Sequence, residues 1–292
     1  MTSTGAVAKA QAETDDVESG HMGPRTVRQT MEIRFSNSPA KNTITVHLAR
    51  PLSPEITTAL QDLIRRATEG DTEAMGELGA TFKYESPDAA IVLFQRAADL
   101  GNPKGMYELA LMLHDTGKRE KAKEWWTKAA LLGNTKAMVQ LGHISRHSGD
   151  YEKAKEWWTQ SAGMGNARAM LALGDLMSRQ SLQEGRRWYE EAANLGDAEA
   201  MGELTRLLWD SEPGEASRWF DLIVAKEEKP STVHKIAERL EPTQSARAIQ
   251  LWLQAAKGGY VPSMLALARA LESTDKEQAQ FWQDSAARLK QK

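Results

Sequence analysis

His143 and His147 stand four residues apart, the spacing at which a helix presents two imidazoles to one zinc ion. Ile144, Ser145 and Arg146 lie between them. No glutamate is placed to act as general base, and Ser148-Gly149 turns the chain directly afterwards, so a metal site is not expected. The chain has no cysteine, which removes thiolate ligands and disulfides and fits a reducing, cytoplasmic setting. No Ser-His-Asp set, nucleophile elbow or phosphate-cradling glycine loop can be assembled. The sequence therefore predicts no catalytic residue, no metal and no cofactor.

A different chemistry is open to a basic and aromatic set: Lys104, Tyr107 and His114; Lys136, Val139, His143, Arg146 and His147; Arg168, Leu171 and Arg179; Arg206 and Trp209. Asp175 and Glu203 flank it. The whole chain carries a formal charge of only −3, so this positive charge is local. Such a set suits capture of an acidic peptide segment or a terminal carboxylate; the competing reading is a solvated charged face. Near-neutral total charge argues against nucleic acid as the partner.

These residues are positioned by a repeat. Glycine, methionine and leucine recur at Gly70/Met75/Leu78, Gly101/Met106/Leu109, Gly133/Met138/Leu141, Gly165/Met170/Leu173, Gly196/Met201/Leu204 and Gly259/Met264/Leu267. The step is 31 or 32 residues, and the one double step implies a degraded unit in which Val233, Ile236 and Ala237 stand for the missing residues and Glu228 for the glycine. A second ladder of small residues, Ala90, Ala122, Ala154, Gly185, Ala216, Ala248 and Ala279, keeps the same step. Units of this length cannot bury their apolar face alone and stack into a shared core. The Met ladder and Trp125, Trp126, Trp157, Trp158, Trp188, Trp219, Trp252 and Trp282 fall in register with it, so packing accounts for them. Trp209 is out of register and is the one candidate aromatic anchor.

Each unit reads as two helices. One carries the Met/Leu stripe and begins at an Asn or Asp N-cap after the glycine; the other carries the small residue and the aromatics. The segment WWTKAALLGNTKAMVQLG resembles the signature of Sel-one-like repeats, a branch of the tetratricopeptide superfamily, as do AADLGNPKGMYELA, SAGMGNARAMLALG and EAANLGDAEAMGELT. The likeness covers residues 54 to the end, about four fifths of the chain, although the period is shorter than the roughly 36 residues usual in that family. The resemblance implies an all-α, right-handed α-solenoid of about seven helix pairs with a concave groove lined by the first helix of each. It also implies a non-catalytic scaffold or adaptor that binds a protein segment. Some disulfide-rich relatives are linked to β-lactam hydrolysis, but they rely on a cysteine pair per repeat. The remaining alternative is a nucleic-acid-binding regulator.

Residues 1–29 are small and polar without period and are expected to lack regular structure. Alternation at Met31, Ile33 and Phe35, then at Ile44, Val46 and Leu48, predicts a β-hairpin over 30–50 that shields the first helices or pairs with another chain. Ser53-Pro54-Glu55 starts a helix, and 54–69 reads as a half-repeat cap on a repeat domain spanning 54–290. No stretch of about 18 apolar residues is present to span a bilayer. The facing assignment is tested by melting temperature: Met138→Asp buries an uncompensated charge and is expected to cost several kcal/mol, whereas Lys136→Glu, on the surface, is expected to shift stability by about 0.5 kcal/mol or less. Equal shifts would refute the assignment.

Overall fold

A computed structural model describes residues 10–12, 29–34, 43–48, 54–226 and 229–290. The chain divides into two compact units, Met1–Leu141 and Gly142–Lys292.

Unit 1 begins with strands β1 (Ala10–Ala12), β2 (Gln29–Arg34) and β3 (Thr43–Leu48). In place of the expected two-stranded hairpin there is a three-stranded antiparallel sheet in the order β1-β2-β3, with Ala10 opposite Met31 and Ile33 opposite Ile44. Three residues of Ala and Gln are too few and too weak in β propensity to give a sequence signal for β1. The rest of the stretch expected to lack structure, and Phe35, lie outside the described residues. Helix α1 (Pro54–Thr68) follows, then the pairs α2 (Thr72–Phe82) with α3 (Pro87–Asp99) and α4 (Pro103–Asp115) with α5 (Arg119–Leu131). Ile33, Ile44 and Val46 of the sheet share one apolar cluster with Leu60 and Ile64 of α1 and Leu93 of α3. Each such side chain contributes about 1.5–3 kcal/mol on burial. Ala89 of α3 is buried in this cluster, whereas Lys121, one period later, is exposed.

Helix α6 (Thr135–His147) runs across the boundary between the units. Unit 2 continues with α7 (Tyr151–Gly163), then α8 (Ala167–Met177) with α9 (Leu182–Asn194), α10 (Ala198–Leu208) with α11 (Pro213–Ala225), α12 (Pro230–Leu240) with α13 (Ser245–Lys257), and α14 (Val261–Leu271) with α15 (Lys276–Lys290). Fifteen helices among the described residues form a half-repeat and seven pairs. This is the architecture of the α-solenoid class. The degraded unit is real: Val233, Ile236 and Ala237 are buried on α12. Glu228 lies outside the described residues.

Both ladders have a steric cause. In six of the seven leading helices a glycine or alanine follows the methionine, or the valine that replaces it, by four residues, Thr205 being the exception. At Gly79, Gly142 and Gly174 the trailing helix lays a buried ring against that gap. A Cβ on Gly79 would come within 2.6 Å of Phe94, one on Gly142 within 2.2 Å of Trp158, and one on Gly174 within 2.5 Å of Tyr189. On the trailing side, a Cβ on Gly185 would meet Ser178 at 2.6 Å. Of each tryptophan pair the second member is buried and the first half-exposed: Trp126 and Trp158 against Trp125 and Trp157. Between units the glycine takes the left-handed conformation, φ 84° at Gly133 and 81° at Gly165, where other residues are strained. Asp71, Asn102, Asn166 and Asp197 then cap the next leading helix with a side-chain oxygen.

Gly142→Ala should cost about 1–3 kcal/mol through overpacking against Trp158. Gly163→Ala, in a helix with nothing within 4 Å of the added methyl, should stabilise by about 0.5 kcal/mol. Urea denaturation of both variants checks the pair, and a neutral Gly142→Ala would refute the steric account.

Candidate functional site

In unit 1 Lys104, singled out from the sequence, is tied to a carboxylate of the preceding repeat. Lys104 of α4 pairs with Glu73 of α2 at 3.4 Å, and Lys83 pairs with Glu108 at 3.4 Å. Glu73 and Lys104 each lie two residues before a ladder methionine, so the period itself places the two charges side by side. Asn102 adds a second link: it caps α4 and donates from Nδ2 to Thr72 and Glu73 of the preceding unit, at 2.9 and 3.1 Å. Tyr107 is half-buried, which raises its phenol pKa. The exposed His114 ring lies 5.5 Å from Trp126. Lys136 is exposed, and no ion-pair partner faces it among the described residues.

A recess of about 310 Å³ opens between α2 and α4, over Gly76, Ala80 and Gly105, with Phe94 beneath. Gly105 is required there, since its Cβ would meet Ala97 at 2.7 Å. Gly76 is not: it is helical, and nothing lies within 4 Å of a Cβ built on it. A glycine inside a helix costs about 1 kcal/mol relative to alanine, and among the described residues no close approach at Gly76 accounts for it.

In unit 2 the charged residues form a network on α8, α10 and α12. Glu203, 5% exposed, accepts from Arg206 at 3.0 Å and from Arg239 of the degraded unit. Arg239 also reaches Asp175 of α8 at 4.0 Å, and Asp175 accepts a 2.9 Å hydrogen bond from Tyr189. Burial raises the Asp175 pKa, against the pull of Tyr189, Arg239 and Arg146. Arg168 is bound to Glu199 at 2.8 Å and lies 3.6 Å from Asp197, repeating the Glu73–Lys104 link with the charges exchanged. Arg146 lies 5.8 Å over the Trp158 ring and Arg179 is exposed; among the described residues neither has a carboxylate within ion-pair distance. Trp209 is not a free anchor: the Arg247 guanidinium stacks 3.3 Å over its ring and also lies 5.4 Å from Phe220 of α11. The signal for Arg239 was hidden by the degraded unit, which has no methionine from which to count.

His143 packs edge-on against Trp158 at 5.3 Å. Burial, then Arg146, His147 and Arg168, hold its pKa below the ordinary value. No cluster of three or more potential metal ligands occurs among the described residues. A Ser–His–acid contact does occur, where the sequence had offered none: His234 Nδ1 lies 2.9 Å from Ser263 Oγ, and Nε2 lies 3.5 Å from Glu238. Ser263 is 0% exposed, so its hydroxyl cannot meet a substrate and instead ties α12 to α14. None of the described helices is long and apolar enough to cross a membrane.

The Sel1 repeat pattern matches residues 74–102, 103–134, 167–197 and 241–260, and the tetratricopeptide repeat pattern matches 135–162. No curated protein sequence matches the chain. Among solved structures it is similar to a Sel1 repeat protein from Oxalobacter formigenes, at 22% identity and a TM-score of 0.53, over 73% of this chain and 96% of that one. A protective antigen of uropathogenic Escherichia coli with an SLR fold gives 22% identity and a TM-score of 0.53 over 78% of this chain; the chain spans 56% of that antigen's length. Yeast Tom70 gives 16% identity and a TM-score of 0.55, over 80% of this chain and 55% of that one.

A histidine with a depressed folded pKa is neutral in the native state and takes up its proton on unfolding. Its contribution is therefore complete above the ordinary 6.5 and is lost as pH falls below it. His143→Asn should remove part of the stability loss seen by urea denaturation between neutral and mildly acidic pH. Asp175, whose pKa is raised, acts in the opposite sense, so the wild-type minus variant difference is the quantity to compare. An unchanged difference across that range would refute the assignment.

Proposed function

We propose that this chain, a Sel1-repeat protein of the α-solenoid class with one tetratricopeptide unit, is a non-catalytic interaction scaffold that binds an acidic protein segment on the leading-helix face of unit 2. One observation carries the reading. The leading helices of unit 2 carry Arg146, Arg206 and Arg239 with the carboxylates Asp175 and Glu203, and the turn after α8 carries the exposed Arg179. Arg206 and Arg239 are committed to Glu203, which leaves Arg146 and Arg179 available to an incoming carboxylate. Trp158 beneath Arg146 favours a guanidinium held in place, which lowers the entropy lost on binding.

The repeat architecture supports the scaffold reading, since stacked helix pairs present long surfaces suited to peptide segments. Lys104 and Arg168 belong to the links between repeats, so reversing them would disturb packing as well as binding. Arg146 and Arg179 are the clean positions.

Fluorescence anisotropy with a labelled tetraglutamate peptide tests the proposal. Arg146→Glu combined with Arg179→Glu should weaken binding about tenfold, chiefly in the association rate and more at low salt. Arg187→Glu on α9, with a side chain 82% exposed, should leave it unchanged. Equal binding by all three proteins would overturn the reading, as would tighter, steeply salt-dependent binding of a single-stranded oligonucleotide.

A further inference from the structure

The recess between α2 and α4 belongs to unit 1, and its rim has a different charge balance from the face of unit 2. Lys83 is paired with Glu108 and Lys104 with Glu73. Glu77, an exposed residue of α2, also lines the recess, yet its carboxylate has no hydrogen-bond or ion-pair partner among the described residues. Arg66, bound to Asp71 at 2.6 Å, reaches Glu77 only through its longer-range field. The unanswered charge at this opening is therefore negative, the reverse of the arginine-rich face of unit 2.

The floor is apolar and open because Gly76 stands where the same position of other units holds Tyr107, Val139, Leu171, His234 or Leu265. The other glycine at this position, Gly202, has a steric cause, since its Cβ would meet Ile236 at 2.7 Å. No backbone strain and no close neighbour explains the missing side chain, so its effect is the space itself. Tyr84, 89% exposed, stands at the rim.

We propose that this recess is a socket for a lysine or arginine side chain of a partner protein. The aliphatic stem lies over Gly76, Ala80 and Gly105 above Phe94, and the cationic head meets Glu77, with the Tyr84 ring as a second, π-type contact. An apolar side chain would leave Glu77 unanswered, and an acidic one would face both Glu77 and Glu108. The proposal rests on the reading that these repeats bind partner segments, but it assigns a different place and the opposite charge.

The test is an amide chemical-shift titration of the ¹⁵N-labelled full chain with N-acetyl-lysine methylamide, N-acetyl-norleucine methylamide and N-acetyl-glutamate methylamide. The lysine probe should shift Gly76, Ala80 and Gly105 saturably. Norleucine, with a similar stem and no charge, should bind roughly threefold more weakly or worse, and glutamate should not bind. Gly76→Leu fills the socket with a residue that equivalent helices already carry, so the chain should fold and the lysine response should vanish. Glu77→Gln should reduce that response to the norleucine level. Equal responses to lysine and glutamate, persistence in Gly76→Leu, or no response of these amides would overturn the proposal. Loss of tetraglutamate binding with the lysine response intact would fault the unit 2 reading alone, and the converse result would fault the socket alone.

Discussion

The structure depends on one contact, the buried ring of a trailing helix laid against a leading helix that has little or no side chain at that point. At Gly142 the approach of Trp158 leaves no room for a single methyl. Two helices this close bury nearly the whole ring, and Phe94, Trp126, Trp158 and Tyr189 are each 0–2% exposed. Repeating the contact fixes how each pair packs, and the left-handed glycine and the Asn or Asp cap then set how the chain enters the next pair. The period is thus a steric property first and a sequence pattern second.

Charges finish the alignment. Glu73–Lys104 in unit 1 and Arg168–Glu199 in unit 2 join the same position of successive repeats, once in each polarity. Exposed pairs of this kind are worth about 1 kcal/mol at most, so they contribute little to stability. Along this position the sequence runs Glu73, Lys104, Lys136, Arg168 and Glu199, so a carboxylate meets a base only at the two ends of a basic run. The buried Glu203 is different: left without Arg206 and Arg239 it would be an unpaired charge in the interior, which costs several kcal/mol. The network is held together by that penalty more than by attraction.

The fold was legible in the sequence because its cause recurs: a gap and a ring that must meet every 31 or 32 residues leave an in-phase mark even in the degraded unit at Val233 and Ile236. The candidate sites were less legible. Counting from the methionines puts Lys104 and Arg168 at one position of the repeat, but which basic residues stay unpaired depends on the neighbouring unit, where Glu73 and Glu199 bind them. Trp209 stood out of register for a local reason, the stacked guanidinium of Arg247, which no spacing reveals. The sheet was partly visible, since alternation marks β2 and β3 while the three residues of β1 carry no pattern.

A repeat also governs what an isolated polar contact can mean. Ser263 and His234 lie at hydrogen-bond distance and would attract a nucleophile-and-base reading in a globular enzyme. Here they sit on consecutive leading helices, near the positions where Asn102 and Glu73 link an earlier pair, and the hydroxyl is sealed from solvent. Polar groups on the period serve to join repeats. Groups that break the period without a structural partner need another account. Gly76 departs from it without a close neighbour to explain it, and Arg146 and Arg179 have no carboxylate within ion-pair distance among the described residues; the two proposed sites rest on these departures.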